Sequence, residues 1–444
     1  MAKASRLQIT MRPIASLKPD PRNARTHSER QIALIAKSIE EFGFINPIIV
    51  DEAGSIMAGH ARHKAAVFMG LTDVPTIQLS HMIKAQKRAY IIADNRLAEK
   101  AGWDFDILGE EISLLLDEDI DFDIEVIGFD SAEIDQLVFG ESGNKSAAEH
   151  EENPVELPGE EPVVSQPGDL WEIGEHRLLC GNALDPASYE RLLGREKVQM
   201  VFTDPPYNVP IGGHVSGLGK VKHREFAMAS GEMSRPGFIA FLRTAAMRMA
   251  EVSINGAIHF VCMDWRHAGE IEEAGRAVYS ELKNICIWAK TNAGMGTFYR
   301  SQHEFVFVWK VGKARHINNF GLGEKGRYRT NLWTYAGANT FRKGRGEDLA
   351  DHPTVKPVQM VQDTILDCSK PKGIIFDPFT GVGTTLVAAH RAKRRGRGIE
   401  IDPAYVDCAL RRLQEALGVE PRLVDTGETF TEVAARRLSN KEAA

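Results

Sequence analysis

The sequence predicts an open α/β sheet in its second half, behind a smaller α+β domain. Three stretches carry that prediction. Gln199–Thr203 is a short apolar strand that stops at Asp204-Pro205-Pro206-Tyr207. Gly373–Phe376 is a second strand, running through Asp377-Pro378-Phe379 into Gly381-Val382-Gly383 and a helix over Leu386–Ala392. Gly396–Ile399 is a third, ending in Glu400. In open sheets of this kind the ligand sits beyond the carboxyl ends of the strands.

The front of the chain alternates differently. Residues 6–11 read as a strand, and Gln31–Phe42 as an amphipathic helix with Ile32, Ile35 and Ile39 inward. Pro47–Val50 is a buried strand, and Asp51–Gly54 turns into Ser55–Ala58. Then comes Gly59-His60-Ala61-Arg62-His63-Lys64-Ala65-Ala66, a glycine-led helix start with cations. Such a start can hold phosphate, and it is equally the start of a basic surface helix. His60 and His63 make at most half a metal site, so no metal is expected. Further on, Phe105, Ile107, Leu108, Ile112, Leu115 and Leu116 have helical spacing. So do Ile134, Leu137 and Val138, behind Asp130 or Ser131 as N-cap.

Charge divides the 444 residues more sharply than their net of −7 suggests. Residues 1–100 carry +6, residues 101–140 carry −13 with no Lys or Arg, residues 141–167 carry −6, and the remainder +6. The organisation that follows is a first module at 1–100, an acidic helical extension at 101–140, an acidic disordered linker at 141–167, a second module at 168–420 and a tail at 421–444. No apolar run approaches the roughly 18 residues of a membrane span, and the N-terminus has no apolar signal core. Five widely spaced cysteines exclude a disulfide framework and fit a reducing cytoplasm.

The chemistry lies in the second module. Two prolines cannot continue a ladder or a helix, so the chain leaves the strand in a stiff turn. That turn offers one carboxylate, a carbonyl at Pro205 and the ring of Tyr207, which suit a planar base with an exocyclic amine. Alone, the four letters also describe a proline turn closing a strand. In the second motif the glycines let a ligand approach the backbone, but Asp377 would repel a pyrophosphate. Glu400 stands nineteen residues past Gly381, the spacing at which an acid takes ribose hydroxyls. Cationic, phosphate-free and ribose-bearing describes S-adenosylmethionine better than NAD or ATP. Asp377, Pro378, Phe379, Gly381, Gly383, Thr384 and Glu400 are its expected contacts. Thr354 and Lys356 of His352-Pro353-Thr354-Val355-Lys356-Pro357 join them, with Lys356 toward the methionine carboxylate.

Together these blocks closely resemble the β-group of amino-methylating DNA methyltransferases, over roughly residues 168–415. The resemblance implies a seven-stranded S-adenosylmethionine-dependent methyltransferase fold with circularly permuted motif order. Its implied catalytic set is Asp204, Pro205, Pro206 and Tyr207, acting on adenine N6 in double-stranded DNA after base flipping. Cytosine N4 is the alternative; those enzymes more often begin the turn with Ser. Residues 1–100 resemble the ParB N-terminal (ParB/sulfiredoxin-like) domain, through Ile14–Asn23, the Gly59–Ala66 box and Gln86–Ala101. That resemblance implies nucleotide or DNA contact, with Arg62 keeping the basic role. A ParB-like DNA-binding or nucleotide-switch protein with a decayed methyltransferase half is the competing reading; the intact motifs speak against it. Two stretches are candidates for DNA contact. One is the Gly-rich run with Lys220, Lys222 and Arg224. The other holds Arg327, Arg329, Arg342, Lys343 and Arg345 among Phe320, Tyr328, Trp333, Tyr335 and Phe341. A homodimer is left open as an assembly, and no membrane partner is expected.

Overall fold

A computed structural model describes residues 7–118, 120–140, 158, 162–209, 231–291, 298–321, 329–335 and 355–442. Two compact units emerge, Met1–Val138 and Phe139–Ala444.

The first unit holds a four-stranded sheet of β1 (Ile9–Pro13), β2 (Ile48–Val50), β3 (Ile56–Ala58) and β4 (Asp73–Gln78) in the order β1-β4-β2-β3. Ile48, Val50, Ile56 and Val74 form its core beneath the helices. The helix Glu29–Phe42 starts where Ser28 accepts the Gln31 N–H. The helices Phe105–Asp117 and Ser131–Phe139 bury Ile112, Leu116 and Ile134 in a small core of their own. Asp130 accepts the Ala132 and Glu133 N–H groups, as an N-cap should. Ion pairs Arg30–Asp130 and Lys37–Asp123 join these acidic elements to the helix Glu29–Phe42.

In the second unit one sheet runs through ten strands. In chain order they are β5 (Leu170–Ile173), β6 (His176–Cys180), β7 (Val198–Thr203), β8 (Ser253–Met263), β9 (Glu281–Lys290), β10 (His303–Lys310), β11 (Leu332–Tyr335), β12 (Ile374–Asp377), β13 (Arg395–Glu400) and β14 (Arg422–Leu423). Their order across the sheet is β11-β9-β10-β8-β7-β12-β13-β6-β5-β14. The seven strands β9-β10-β8-β7-β12-β13-β6 are the expected core, and β10 alone of them runs against its neighbours. The short strands β11, β5 and β14 extend the two edges.

Helices cover both faces, which is why the central strands read as unbroken apolar runs. Met200, Phe202 and Ile375 face one core with the helices Val358–Cys368, Thr384–Arg391 and Pro403–Leu417. Val201, Ile374 and Phe376 face the other, with the helices Pro186–Leu193, Arg235–Val252 and Ala268–Arg276. No helix among the described residues is long and apolar enough to cross a membrane.

Two expected boundaries are corrected. The linker assigned to 141–167 ends earlier: Val164 is 4% exposed, and the Val164 and Ser165 N–H groups donate to Asp407. Most of its remainder lies outside the described residues. The tail assigned to 421–444 belongs to the second unit. Arg422–Leu423 pairs with β5, Phe430 meets the Trp171 ring at 5.4 Å, and Arg437 pairs with Asp169. Phe430→Ala is expected to cost about 3 kcal/mol by emptying that contact. Thermal unfolding checks this, and an unchanged midpoint would mark the segment as dispensable.

Candidate active site

Strands β6, β7, β8, β12 and β13 are mutually parallel, and β9 runs the same way. Their carboxyl ends therefore share one edge of the sheet, where Asp204, Asp377, Glu400 and Lys290 all stand. β10 starts at this edge, bringing Glu304 opposite Trp288.

Thr203 ends β7 and Asp377 ends β12. The Thr203 hydroxyl donates to Asp377 Oδ1 at 2.7 Å, joining the two motifs across 174 residues. Asp377 Oδ2 accepts from Thr385 Oγ1 at 2.7 Å, and Oδ1 also accepts the Phe379 N–H. Three donors thus hold this carboxylate to the turn. Gly381 and Gly383 both have positive φ (53° and 83°), and a Cβ on Gly383 would stand 3.1 Å from Ala409. Glu400 accepts the Gly381 N–H at 2.8 Å and the Asp402 N–H at 2.9 Å. It lies beside the glycine turn with acceptor capacity to spare, as a ribose-binding acid requires. Thr384 accepts a hydrogen bond from Arg412 at 2.9 Å. Pro378 is buried and Phe379 half-buried.

Around Asp204 the chain assembles a charged cluster. Tyr207 Oη donates to Asp204 Oδ1 at 2.5 Å and stands 3.2 Å from Glu304 Oε2. Lys356 Nζ pairs with Asp204 Oδ2 and lies 3.1 Å from Glu304 Oε2. Lys290 takes Glu304's other oxygen. Lys356 is buried and already paired twice, so its expected role at a methionine carboxylate is withdrawn. Burial lifts the Asp204 carboxyl above its usual range against the pull of Lys356. Burial also opposes ionisation of Glu304, but Lys356 and Lys290 outweigh it and hold that acid at about 2.

Asn208 adds a clamp that sequence reasoning missed. With φ of 55° it takes the Gly231 and Met233 N–H groups on Oδ1, both at 3.1 Å, and donates to the Met233 carbonyl at 2.8 Å. Glu304 and Lys290 were also missed as site residues. An acid within a strand and a lysine at a strand's end carry no local signal. Phe298 and Tyr299 lie between β9 and β10, 89% and 83% exposed, with ring centroids 4.7 Å apart.

Of the residues assigned to DNA, Arg329 is corrected. It pairs with Asp363 and Asp367, donates to the Tyr335 hydroxyl and lies 5.4 Å over the Trp333 ring. Trp333 is core, so neither is a free contact for nucleic acid. Thr354, Lys220, Lys222, Arg224, Arg327, Arg342, Lys343 and Arg345 lie outside the described residues.

In the first unit a cavity of about 580 Å³ is lined by Asn23, Arg25, His27, Gly59, His60 and Arg62, among others. Arg62 Nε is buried there without a hydrogen-bond partner among the described residues. No group of three or more His, Cys, Asp or Glu among the described residues could hold a metal ion.

Comparison with known proteins gives three family matches along the chain. The N6/N4 family described as DNA methylase matches residues 198–411. The ParB N-terminal domain matches residues 2–95, and a ParB-methyltransferase HTH domain matches residues 106–167. The chain is 30% identical over 234 residues to the Type II methyltransferase M2.DpnII of Streptococcus pneumoniae, covering 49% of this chain and 83% of that one. It is 44% identical over 85 residues to the ParB-like nuclease domain-containing protein YnaK of Escherichia coli K12, covering 19% of this chain and 98% of that one. Among solved structures, the M1.HpyAVI–SAM complex aligns with a TM-score of 0.39 and 20% identity, over 53% of this chain and 98% of that one.

Burial raises Asp377 to about 6 from 3.8 and Glu400 to about 7 from 4.5. A carboxyl raised on folding adds stability that is complete below its unfolded value and lost as pH climbs through its folded one. The unfolding temperature of the second unit is expected to fall between about pH 4 and about pH 7 without ligand, and Glu400→Gln to flatten that fall. Scanning calorimetry across this range checks it; an unaltered slope in the variant would remove Glu400 from the account.

Proposed function

The chain belongs to the N6/N4 DNA methylase family, with a ParB N-terminal domain ahead of its catalytic unit, and from that premise we propose that it methylates the exocyclic N6 amine of an adenine flipped out of duplex DNA. The observation that carries this reading is a carboxylate, Asp204, held with Tyr207 at the sheet edge that also presents Gly381 and Glu400. The methyl donor is S-adenosylmethionine. When bound, it would supply a methyl carbon activated by a sulfonium that leaves with the electron pair.

The residues of this chain do the rest. The glycine turn and Glu400 hold the cofactor, with hydroxyl groups of its ribose donating to the carboxylate. Tyr207 stacks on the extruded base. Asp204 and the Pro205 carbonyl accept the two amine hydrogens, which turns an amide-like lone pair toward the methyl group as charge develops on nitrogen. Fixing these partners at one edge is chiefly positioning. The proton shed by the methylated nitrogen goes to Asp204.

DNA contact is assigned to Lys220, Lys222, Arg224, Arg327, Arg342, Lys343 and Arg345, with Phe298 and Tyr299 offering exposed rings for stacking. The cavity of the first unit, with its unpartnered Arg62 Nε, supports nucleotide or DNA phosphate contact there.

Incubation with labelled S-adenosylmethionine and mixed-sequence DNA, followed by nucleoside analysis, is expected to yield N6-methyladenine. N4-methylcytosine would overturn the adenine assignment. Asp204→Ala is expected to lower methyl transfer by about 1,000-fold while cofactor affinity survives; retained activity sinks the role of Asp204. Titration of a nucleoside triphosphate into the full chain is expected to give binding that Arg62→Ala removes, and a flat wild-type titration would discard the nucleotide.

A further inference from the structure

Asp204 is the end of a chain of alternating charges. It runs Lys290, Glu304, Lys356, Asp204, drawn from the end of β9, the start of β10, the segment before the helix Val358–Cys368, and the end of β7. Lys356 and Glu304 have side chains only 5% and 11% exposed. Trp288 lies under both cations, 4.7 Å from Lys290 Nζ and 5.8 Å from Lys356 Nζ. The four charges sum to zero, so the cluster is neutral, with its two middle members buried.

We propose that Lys356 is a positioning residue for methyl transfer: anchored by Glu304 and Lys290, it holds Asp204 ionised with Oδ1 turned to the substrate amine, whose place the Tyr207 hydroxyl keeps until the base arrives. This rests on the reading of the site as an amine methyltransferase.

Three observations carry it. The ammonium occupies Oδ2 of Asp204, leaving only Oδ1 for a substrate donor. Tyr207 Oη donates to that Oδ1 at 2.5 Å, the position an amine N–H needs. Glu304 Oε2 stands 3.2 Å from the same hydroxyl, so Tyr207 has a second acceptor within reach when it turns its ring to a base. Without the ammonium, Asp204 and Glu304 would be two carboxylates sharing a buried site, and one of them would keep a proton. A protonated Asp204 no longer accepts from the amine.

The other ionisable groups facing Asp204 do not supply this charge. Cys262 on β8 has its thiol pushed up by burial, so it stays neutral. Asp377 on β12 is turned to Thr203 and Thr385.

The test is the pH profile of single-turnover methyl transfer at saturating S-adenosylmethionine, for wild type, Lys356→Met, Lys356→Arg and Glu304→Gln, with cofactor affinity measured by calorimetry. Lys356→Met is expected to lower the rate about 100-fold. Its acidic limb should move up by at least about one pH unit, because Asp204 has lost its cation. Lys356→Arg keeps the charge and is expected to return the limb toward the wild-type position. Glu304→Gln frees Lys356 for Asp204 alone, so its limb is expected to move down even though its rate also falls. Opposite displacements of one limb are not the signature of general loosening, and retained cofactor affinity shows that the variants fold. Two results would overturn the proposal. One is a limb that moves in neither variant; the other is a Lys356→Met enzyme whose rate at saturation is intact but whose cofactor affinity falls tenfold or more. Methylation of cytosine instead of adenine by wild type would correct the substrate while leaving the comparison of limbs valid. No transfer by wild type would sink the methyltransferase reading itself.

Discussion

The hydrogen bond from Thr203 to Asp377 is the constraint on which the rest of the site depends. It is buried, 2.7 Å long, and lies where β7 and β12 run side by side at the centre of the sheet. Through it, the turn carrying Asp204 and the turn carrying Gly381 become one object. An unpaired carboxylate at this depth would be costly. Two hydroxyls and one backbone N–H offset that cost, and in doing so fix the angle at which both turns leave the sheet. Asp377 thus ties the two turns together.

A second constraint is the charge order Lys290–Glu304–Lys356–Asp204. Removing ions from water into a protein interior costs several kcal/mol each, and mutual attraction seldom returns more than that. Four such groups at the carboxyl edge are therefore poor value as stabilisation. Their arrangement makes sense as preorganisation, since an acceptor already oriented and ionised needs no rearrangement when the amine arrives. The same economy does not apply to Arg329, whose partners Asp363 and Asp367 and the Trp333 ring place it inside the packing.

The first unit is built on different terms. Its sheet has four short strands and a small core, and its acidic helices are tied to the helix Glu29–Phe42 by Arg30 and Lys37. The −13 of residues 101–140 is partly spent on those pairs. A net charge near neutral overall therefore conceals both an internal acidic segment and two basic modules, and it carries little information about DNA.

The sequence by itself determined the strand ends, the order of the motifs and the chemistry at each turn. Those features are local: two prolines stop a strand wherever they fall, Gly381 and Gly383 accept positive φ, and Glu400 lies a constant number of residues from the turn it serves. Only the tertiary structure decided the partners. Lys356 reads as a partner for a methionine carboxylate until β7, β10 and the segment before Val358 converge on it. Arg329 and Trp333 read as a nucleic-acid surface until the helix Val358–Cys368 packs against them. Glu304, Lys290 and Asn208 have no signal of their own, because their roles arise from contacts between strands and turns distant in the chain. The residues after 420 read as a tail because one short strand and one helix mean little until β5 and Trp171 supply something to cover. In each case the deciding contact joins separate elements, and a pairing across 14 to 268 residues leaves no period or spacing in the sequence to betray it.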